Sequence, residues 1–302
     1  MWWTSLLCGL TFFTAVVTAQ PLTAERSKTS SIEQIRVPKA RSEHDVSYQY
    51  YLALLRRVLE LGAQGRPLPV IVQTLDMEQG RIVRELSIHR SIDLMWAGVD
   101  AEKNQLLRAI PYPLERGLMG FRKFTIHRDL ASTLDSITPL KPLQKLITCQ
   151  GLAWPDNQIL RQAHFRVMTS PVYENLFKQV NARRCDLFPR GLHEGDAELA
   201  ERQALYPNLQ RYQDLMLHYP MAIYFYTRQG DEELALWLEA GLREFNARGE
   251  HLRFMQSQPL TAHVFPLKKH RSSRWFELEN PDLASAAVQD RRYWFTAEDF
   301  KD

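Results

Sequence analysis

The 302-residue chain has little cysteine, little glycine and no block of like charge, and each shortage removes a class of function. Thirty-eight basic side chains against thirty-five acidic ones leave a formal net charge of +3, too weak to argue for nucleic acid or an anionic membrane surface. The densest basic cluster, Lys268-Lys269-His270-Arg271 with Arg274, reads as a solvated loop rather than a binding patch. The chain contains no phosphate-binding glycine loop, no Gly-x-Ser-x-Gly elbow and no His-Glu-x-x-His helix, which are the local signatures of common enzyme classes. Its nine histidines are scattered. The one dense cluster, His193-Glu194-Gly195-Asp196, lacks a second histidine four residues on, so neither a metal nor a cofactor is expected.

Long apolar runs are also missing after the first twenty residues, and no later stretch is long enough to cross a bilayer. The beginning differs. No charged side chain occurs from Met1 to Ala24, Leu6 to Val17 is almost unbroken apolar sequence, and Val17-Thr18-Ala19 supplies small residues. Residues 1–19 are therefore expected to be an export signal cleaved near Ala19, leaving a soluble mature protein. The competing reading is an uncleaved anchor, for which the run is short against about 20 residues. Cleavage removes Cys8 and leaves Cys149 and Cys185. Export permits a bridge between them, but each sits in an apolar, strand-like run, which favours two separate buried thiols.

What remains is an alternation of hydrophobic periods. Ile32, Ile35 and Val37 open a strand-like run, and Tyr48, Tyr51, Leu52, Leu55, Val58 and Leu59 form one stripe at helical spacing. A short strand at 70–72, a helix over 77–88 and a strand from Ile92 to Trp96 follow. That order predicts an α/β unit with a mostly parallel sheet. A second unit is expected after a long strand over 118–127. It has strands at 146–149, 164–168 and 185–188 and helices at 155–162 and 173–180. A second long strand, 221–227, leads to a strong helical stripe over 234–245 that returns the chain to the first unit. Two units joined by two extended crossings describe a hinged pair of lobes with a cleft where strand ends converge.

Several segments in order carry a resemblance. YLALLRRVLELG (51–62), SIDLMWAGVD (91–100), LLRAIPYPLERGLMGFR (106–122), CQGLAWPDNQIL (149–160), the stretch 172–194, LHYPMAIYFYTR (217–228) and LALWLEAGLREFNARG (234–249) together resemble a divergent branch of the type II periplasmic solute-binding proteins. That group includes the polar amino-acid binding components (family 3) of ABC transporters. The resemblance implies a two-lobe fold with two hinge strands. Lobe 1 would span 25–118 and return over 228–302, and lobe 2 with the hinge strands would span 119–227. It also implies a periplasmic, monomeric protein that binds a small molecule and docks on a membrane permease or sensor, with no catalysis of its own. Two departures bear on the ligand. Where such proteins carry an arginine for the ligand carboxylate this chain has Asn104, and where they carry an aspartate for the ammonium group it has Arg190. A plain α-amino acid is therefore not expected, and Arg190 suggests an acidic group.

Six residues are candidates for binding. Arg190 would face the cleft at a strand end and hold a carboxylate or phosphate by two hydrogen bonds, the competing role being a salt bridge to Glu194 or Asp196. Gly151, Trp154 and Asp156 surround a strand-to-helix turn able to cradle an anion, although Asp156 can equally cap that helix and Trp154 can simply pack the turn. Trp96 is either cleft wall or core, and Tyr112, between two prolines, is a further candidate. Arg41, Ser42 and Asp45 follow the first strand and read as a solvated loop near the same mouth.

Overall fold

Hydrophobic patterning places the elements close to the expected ranges in the computed structural model, which describes residue 2 and residues 32–74, 76–88, 91–283 and 290–301. The expected export signal lies outside the described residues. In chain order the strands are β1 Gln34–Val37, β2 Val70–Gln73, β3 Leu94–Gly98, β4 Leu107–Ile110, β5 Phe121–His127, β6 Ile147–Gly151, β7 Arg166–Ser170, β8 Phe188–Gly191, β9 Leu209–His218, β10 Ile223–Arg228 and β11 Arg274–Glu277. The helices are α1 Tyr48–Gly62, α2 Gln79–Ile88, α3 Ala101–Leu106, α4 Ala131–Asp135, α5 Leu140–Gln144, α6 Asp156–Gln162, α7 Tyr173–Asn181, α8 Gly195–Arg202, α9 Glu232–Ala247, α10 Glu250–Ser257 and α11 Pro259–Ala262. No helix among the described residues is long and apolar enough to cross a membrane.

The α/β class holds, with mixed sheets. β1 and β2 pair in parallel, as do β6 and β7. The long strand β10 runs antiparallel to β3 on one side and β4 on the other, so the chain does return to its first half at residue 223. β5 runs antiparallel to β8 and β9, and β11 adds to the far edge of β9 in parallel. The register between β5 and β9 shifts between Arg122 and Phe124. Such an irregularity re-aims the side chains beside it.

The stripe read from the sequence of α1 is buried against the stripe of α9, with Leu55, Val58 and Leu59 meeting Trp237, Leu238 and Leu242 in one core. The contact is close because both helices place a glycine in it. A Cβ on Gly241 would lie 2.0 Å from the carbonyl oxygen of Val58, and one on Gly62 would lie 2.4 Å from that of Trp237. Trp237 Nε1 donates to the Leu59 carbonyl across the same seam at 2.9 Å. At the entrance to β5, Gly117 takes a φ of 75°. The ring of Trp294 packs where its side chain would be, which ties residues 290–300 over the strand.

Two expectations are corrected. The strand expected over 185–188 begins at Phe188 and continues through Arg190, so Arg190 lies inside β8 rather than beyond its end. Cys149 and Cys185 are joined in a disulfide, their Cα atoms 5.7 Å apart. Leu187 sits beside Thr148 in a parallel bridge, and Cys149 N–H donates to the Leu187 carbonyl at 2.8 Å. The segment just before β8 runs beside β6 with both cysteines buried, which brings the sulfurs together, a proximity that two isolated apolar runs do not reveal.

Gly241→Val is expected to destabilise the chain by about 2 kcal/mol or more, since backbone blocks the new side chain. A chemical denaturation midpoint equal to wild type would refute that close approach. Peptide mapping without reductant should recover the segments bearing Cys149 and Cys185 as one linked species; two free thiols would refute the bridge.

Candidate functional site

Eight segments of the chain converge on a cavity of about 430 Å³. The first half supplies residues 38–51, 76–82 and 95–98. The second supplies the turn 151–156, the approach to α7 at 170–173, and Arg190 and Glu194. Met119, Arg122, Met221 and Ile223, on and beside the crossing strands, form its floor. The cavity thus opens where the ends of β1, β3, β6 and β7 face one another.

Its two side walls carry tryptophan. Trp96 on β3 keeps part of its surface accessible and is stacked on Tyr51, ring centroids 5.4 Å apart, with Tyr48 tilted against it at 5.5 Å. The Tyr48 hydroxyl donates to the Pro38 carbonyl at 2.7 Å, which fixes the loop after β1. On the opposite wall Trp154 folds back over Gly151, where a Cβ would come within 2.4 Å of the indole; glycine is required there for contact rather than for its dihedrals. Asn157 Nδ2 holds the turn through the carbonyls of Gly151 and Leu152, at 2.7 and 3.0 Å.

Charge at the base of the cavity is buried and internally compensated. Arg122 Nη2 lies 2.7 Å from Asp156 Oδ1, which also accepts the Tyr219 hydroxyl at 2.6 Å. Arg190 donates through Nε and Nη2 to the two oxygens of Glu198, at 2.8 and 2.7 Å, while Glu194 Oε1 sits 2.8 Å from the same Nη2. The other Glu194 oxygen accepts the Gly191 N–H at 3.1 Å and lies 3.8 Å from Arg122. No side chain in this group is more than 4% exposed. Burial alone lowers an arginine's affinity for its proton, but the carboxylates overcome it: both Arg122, beside Asp156, and Arg190, beside Glu194 and Glu198, are raised above the ordinary value. The series continues as Arg202 pairs with Glu174, which accepts the Ser42 hydroxyl from the first half at 2.7 Å.

The sequence-derived candidates separate accordingly. Arg190, Trp154, Trp96, Asp156 and Gly151 all line the cavity, and so do Arg41 and Asp45 from the loop after β1. Tyr112 does not; it packs edge-on against Tyr293 at 5.4 Å. Asn104 is exposed on α3, where its amide oxygen accepts the Tyr226 hydroxyl at 3.2 Å. Asp156 is not the cap of α6, because its carboxylate turns to Arg122 on β5. Of the two acids weighed as partners for Arg190, Glu194 is one; the bidentate partner is Glu198, eight residues on, one helical turn into α8. The sequence does not single out Arg122, because the strand FRKFTIH also carries Lys123, Thr125 and His127. An arginine in a fully buried seven-residue strand is itself the available signal, since such a charge requires partners.

Behind Tyr51 lies Glu115, fully buried, accepting the Tyr51 hydroxyl with one oxygen and leaving the other without a partner. Burial, opposed by that hydrogen bond and reinforced by the charge of Glu194, pushes this carboxyl up to about 8.

No protein-family model and no curated protein sequence matches the chain. Solved structures do. An ancestral arginine-binding protein bound to arginine matches with 14% identity over 74% of this chain and 97% of that chain, at a TM-score of 0.55. A Salmonella typhimurium periplasmic binding protein of high arginine specificity matches with 10% identity, 74% and 98% coverage and a TM-score of 0.55. A histidine kinase sensor domain similar to periplasmic binding proteins matches with 15% identity, 73% and 93% coverage and a TM-score of 0.51. The fold is that of the two-lobe periplasmic amino-acid binding proteins.

Arg190→Ala strands Glu194 and Glu198 in the interior and should cost about 3–5 kcal/mol, read by urea denaturation; a loss below 1 kcal/mol would show that the carboxylates find water. Glu115 makes a second, pH-dependent demand. Its folded value of about 8 exceeds the ordinary 4.5, so the folded chain holds a proton that the unfolded chain releases. Its stabilising contribution is complete below pH 4.5, declines as pH rises through 8 and is then flat. Glu115→Gln should remove that slope between pH 5 and 8, and an unchanged slope in the variant assigns it elsewhere.

Proposed function

We propose that this chain is an exported solute-binding protein, periplasmic in location, that takes up one small polar molecule between its halves and presents it to an ABC-type permease. The observation that carries the reading is the cavity itself: its lining is drawn from both halves and from the two strands that join them. At about 430 Å³ it falls in the size range of small-molecule sites. Two lobes are proposed, divided near residues 118 and 228, with β5 and β10 as the hinge and β11 moving with the sheet it joins. The chain acts by binding, without turnover. Arg190 no longer supports an acidic ligand, because two carboxylates already hold its guanidinium.

A second reading has a specific observation behind it. The likeness to a histidine kinase sensor domain supports a role in which the same lobes report their occupancy to a membrane receptor. Fold and cavity are common to both roles; the partner differs.

The test is a panel of polar metabolites offered to the exported form of the chain. A true ligand raises the melting temperature, since it prefers the folded state, is recovered chemically unchanged, and reduces the radius of gyration in solution scattering. Product formation that stops in Asp156→Asn would replace binding by catalysis. A ligand that binds without any compaction would remove the hinge.

A further inference from the structure

The chemical class of the guest follows from how the polar groups of the lining are already engaged, and this inference rests on the binding role proposed above. At the base of the cavity Arg122 is held by Asp156, and Arg190 by Glu194 and Glu198. Behind them Arg202 and Arg211 flank Glu198, and Arg202 also pairs with Glu174. Four guanidinium groups therefore stand against four carboxylates, and the cluster carries no surplus of either sign. Toward the mouth Arg41 is taken by both oxygens of Asp45, at 2.7 and 2.8 Å. The Glu78 carboxylate accepts the N–H groups of Gly80 and Arg81, each at 2.9 Å. Lys39 and Asp76, the remaining charged residues of the lining, are exposed to solvent.

The hydroxyl groups are committed in the same way. Ser47 donates to Asp45, Tyr48 to the Pro38 carbonyl, Tyr51 to Glu115, Ser170 to the Val172 carbonyl and Tyr173 to Glu198. No other residue with a hydroxyl lines the cavity among the described residues. A guest's carboxylate thus finds neither a free guanidinium nor a free O–H below the rim, and an ammonium group finds no free carboxylate there. Either ion would lose its water without replacement, or would have to break a buried ion pair and leave one member uncompensated. One face of Trp154 is likewise taken, with the Arg190 guanidinium 4.8 Å from its ring centre.

What the cavity does offer is hydrocarbon. Met77, Trp96 and Ile223 line it and are partly accessible, and so do Leu152 and Val172, which are 55% and 51% exposed. Met95, Met119 and Met221 complete a set of four lining methionines, unbranched side chains that adapt to the outline of an apolar body.

We propose that the guest is an uncharged molecule with an aromatic or aliphatic body, held against Trp96, Met77 and Ile223 and bound without an ion pair to the chain.

Two pairs of matched shape test this by calorimetry at pH 7: phenylacetamide against phenylacetate, and 2-phenylethanol against phenethylamine. In each pair the uncharged member should bind at least tenfold more tightly, and a smaller or reversed ratio in either pair overturns the inference. Glu194→Gln keeps an oxygen for Arg190 but leaves the buried cluster one positive charge in surplus, so phenylacetate should gain about tenfold. Trp96→Leu should weaken phenylacetamide at least fivefold. An unaltered affinity in either folded variant also overturns the inference; should a variant not fold, the wild-type ratios decide. If none of the four probes binds, the metabolite panel decides: a tightest hit that is uncharged at pH 7 sustains the inference, and a charged one ends it. No hit of any kind ends the binding role itself.

Discussion

Arg122 and Arg190 have been taken out of water in the second half of the chain, and their need for compensation organises what surrounds them. An isolated buried guanidinium costs many kcal/mol, so carboxylates must be delivered to it with good geometry. Here they come from the start of α6 through Asp156 and from the start of α8 through Glu194 and Glu198. These contacts hold both helix starts against β5 and β8, and the turn 151–155 and the cavity wall take their positions from that. Arg202 and Glu174 carry the alternation on to α7. Replacing such a cluster by hydrocarbon is often neutral for stability; what the charges add here is position, since Asp156 and Glu194 tie the starts of α6 and α8 to Arg122 and Arg190.

How much of this was legible in the sequence depended on whether the signal was local. The helices α1 and α9 were, because six apolar residues at helical spacing declare a buried face without reference to any partner. β9 was not: LQRYQDLMLH mixes buried and exposed positions without regular alternation, as befits a strand whose register against β5 breaks. β11 was likewise missed, its four residues all keeping some exposure. The end of β8 was placed early because Pro189 and Arg190 look like punctuation, whereas Pro189 is paired opposite Phe124 inside the sheet.

The site divides along the same line. Trp96 lies in β3 and Gly151 ends β6, while Trp154 and Asp156 lie in the turn and helix start after β6, and a strand end in an α/β unit points at the cleft whatever its neighbours do. Tyr112 also follows a strand, β4, but that strand sits on the far side of β10 and its end turns toward the C-terminal segment. Of the two partners of Arg190, Glu194 was legible from its spacing and Glu198 was not. Choosing Glu198 over Asp196 depends on the phase of α8 relative to β8, a tertiary quantity that spacing in the chain does not contain.

The loop after β1 reaches across the mouth, with Ser42 hydrogen-bonded to Glu174 and the Arg41 guanidinium 4.3 Å above the ring of Tyr173. These contacts touch no part of the cavity floor, so they leave the intrinsic preference for one guest over another unchanged. They act on time instead. A bridge between opposing rims has to break before anything inside escapes, and in the proposed role it lengthens residence without altering selectivity, which places the retention of cargo in two polar side chains at the edge of the cleft.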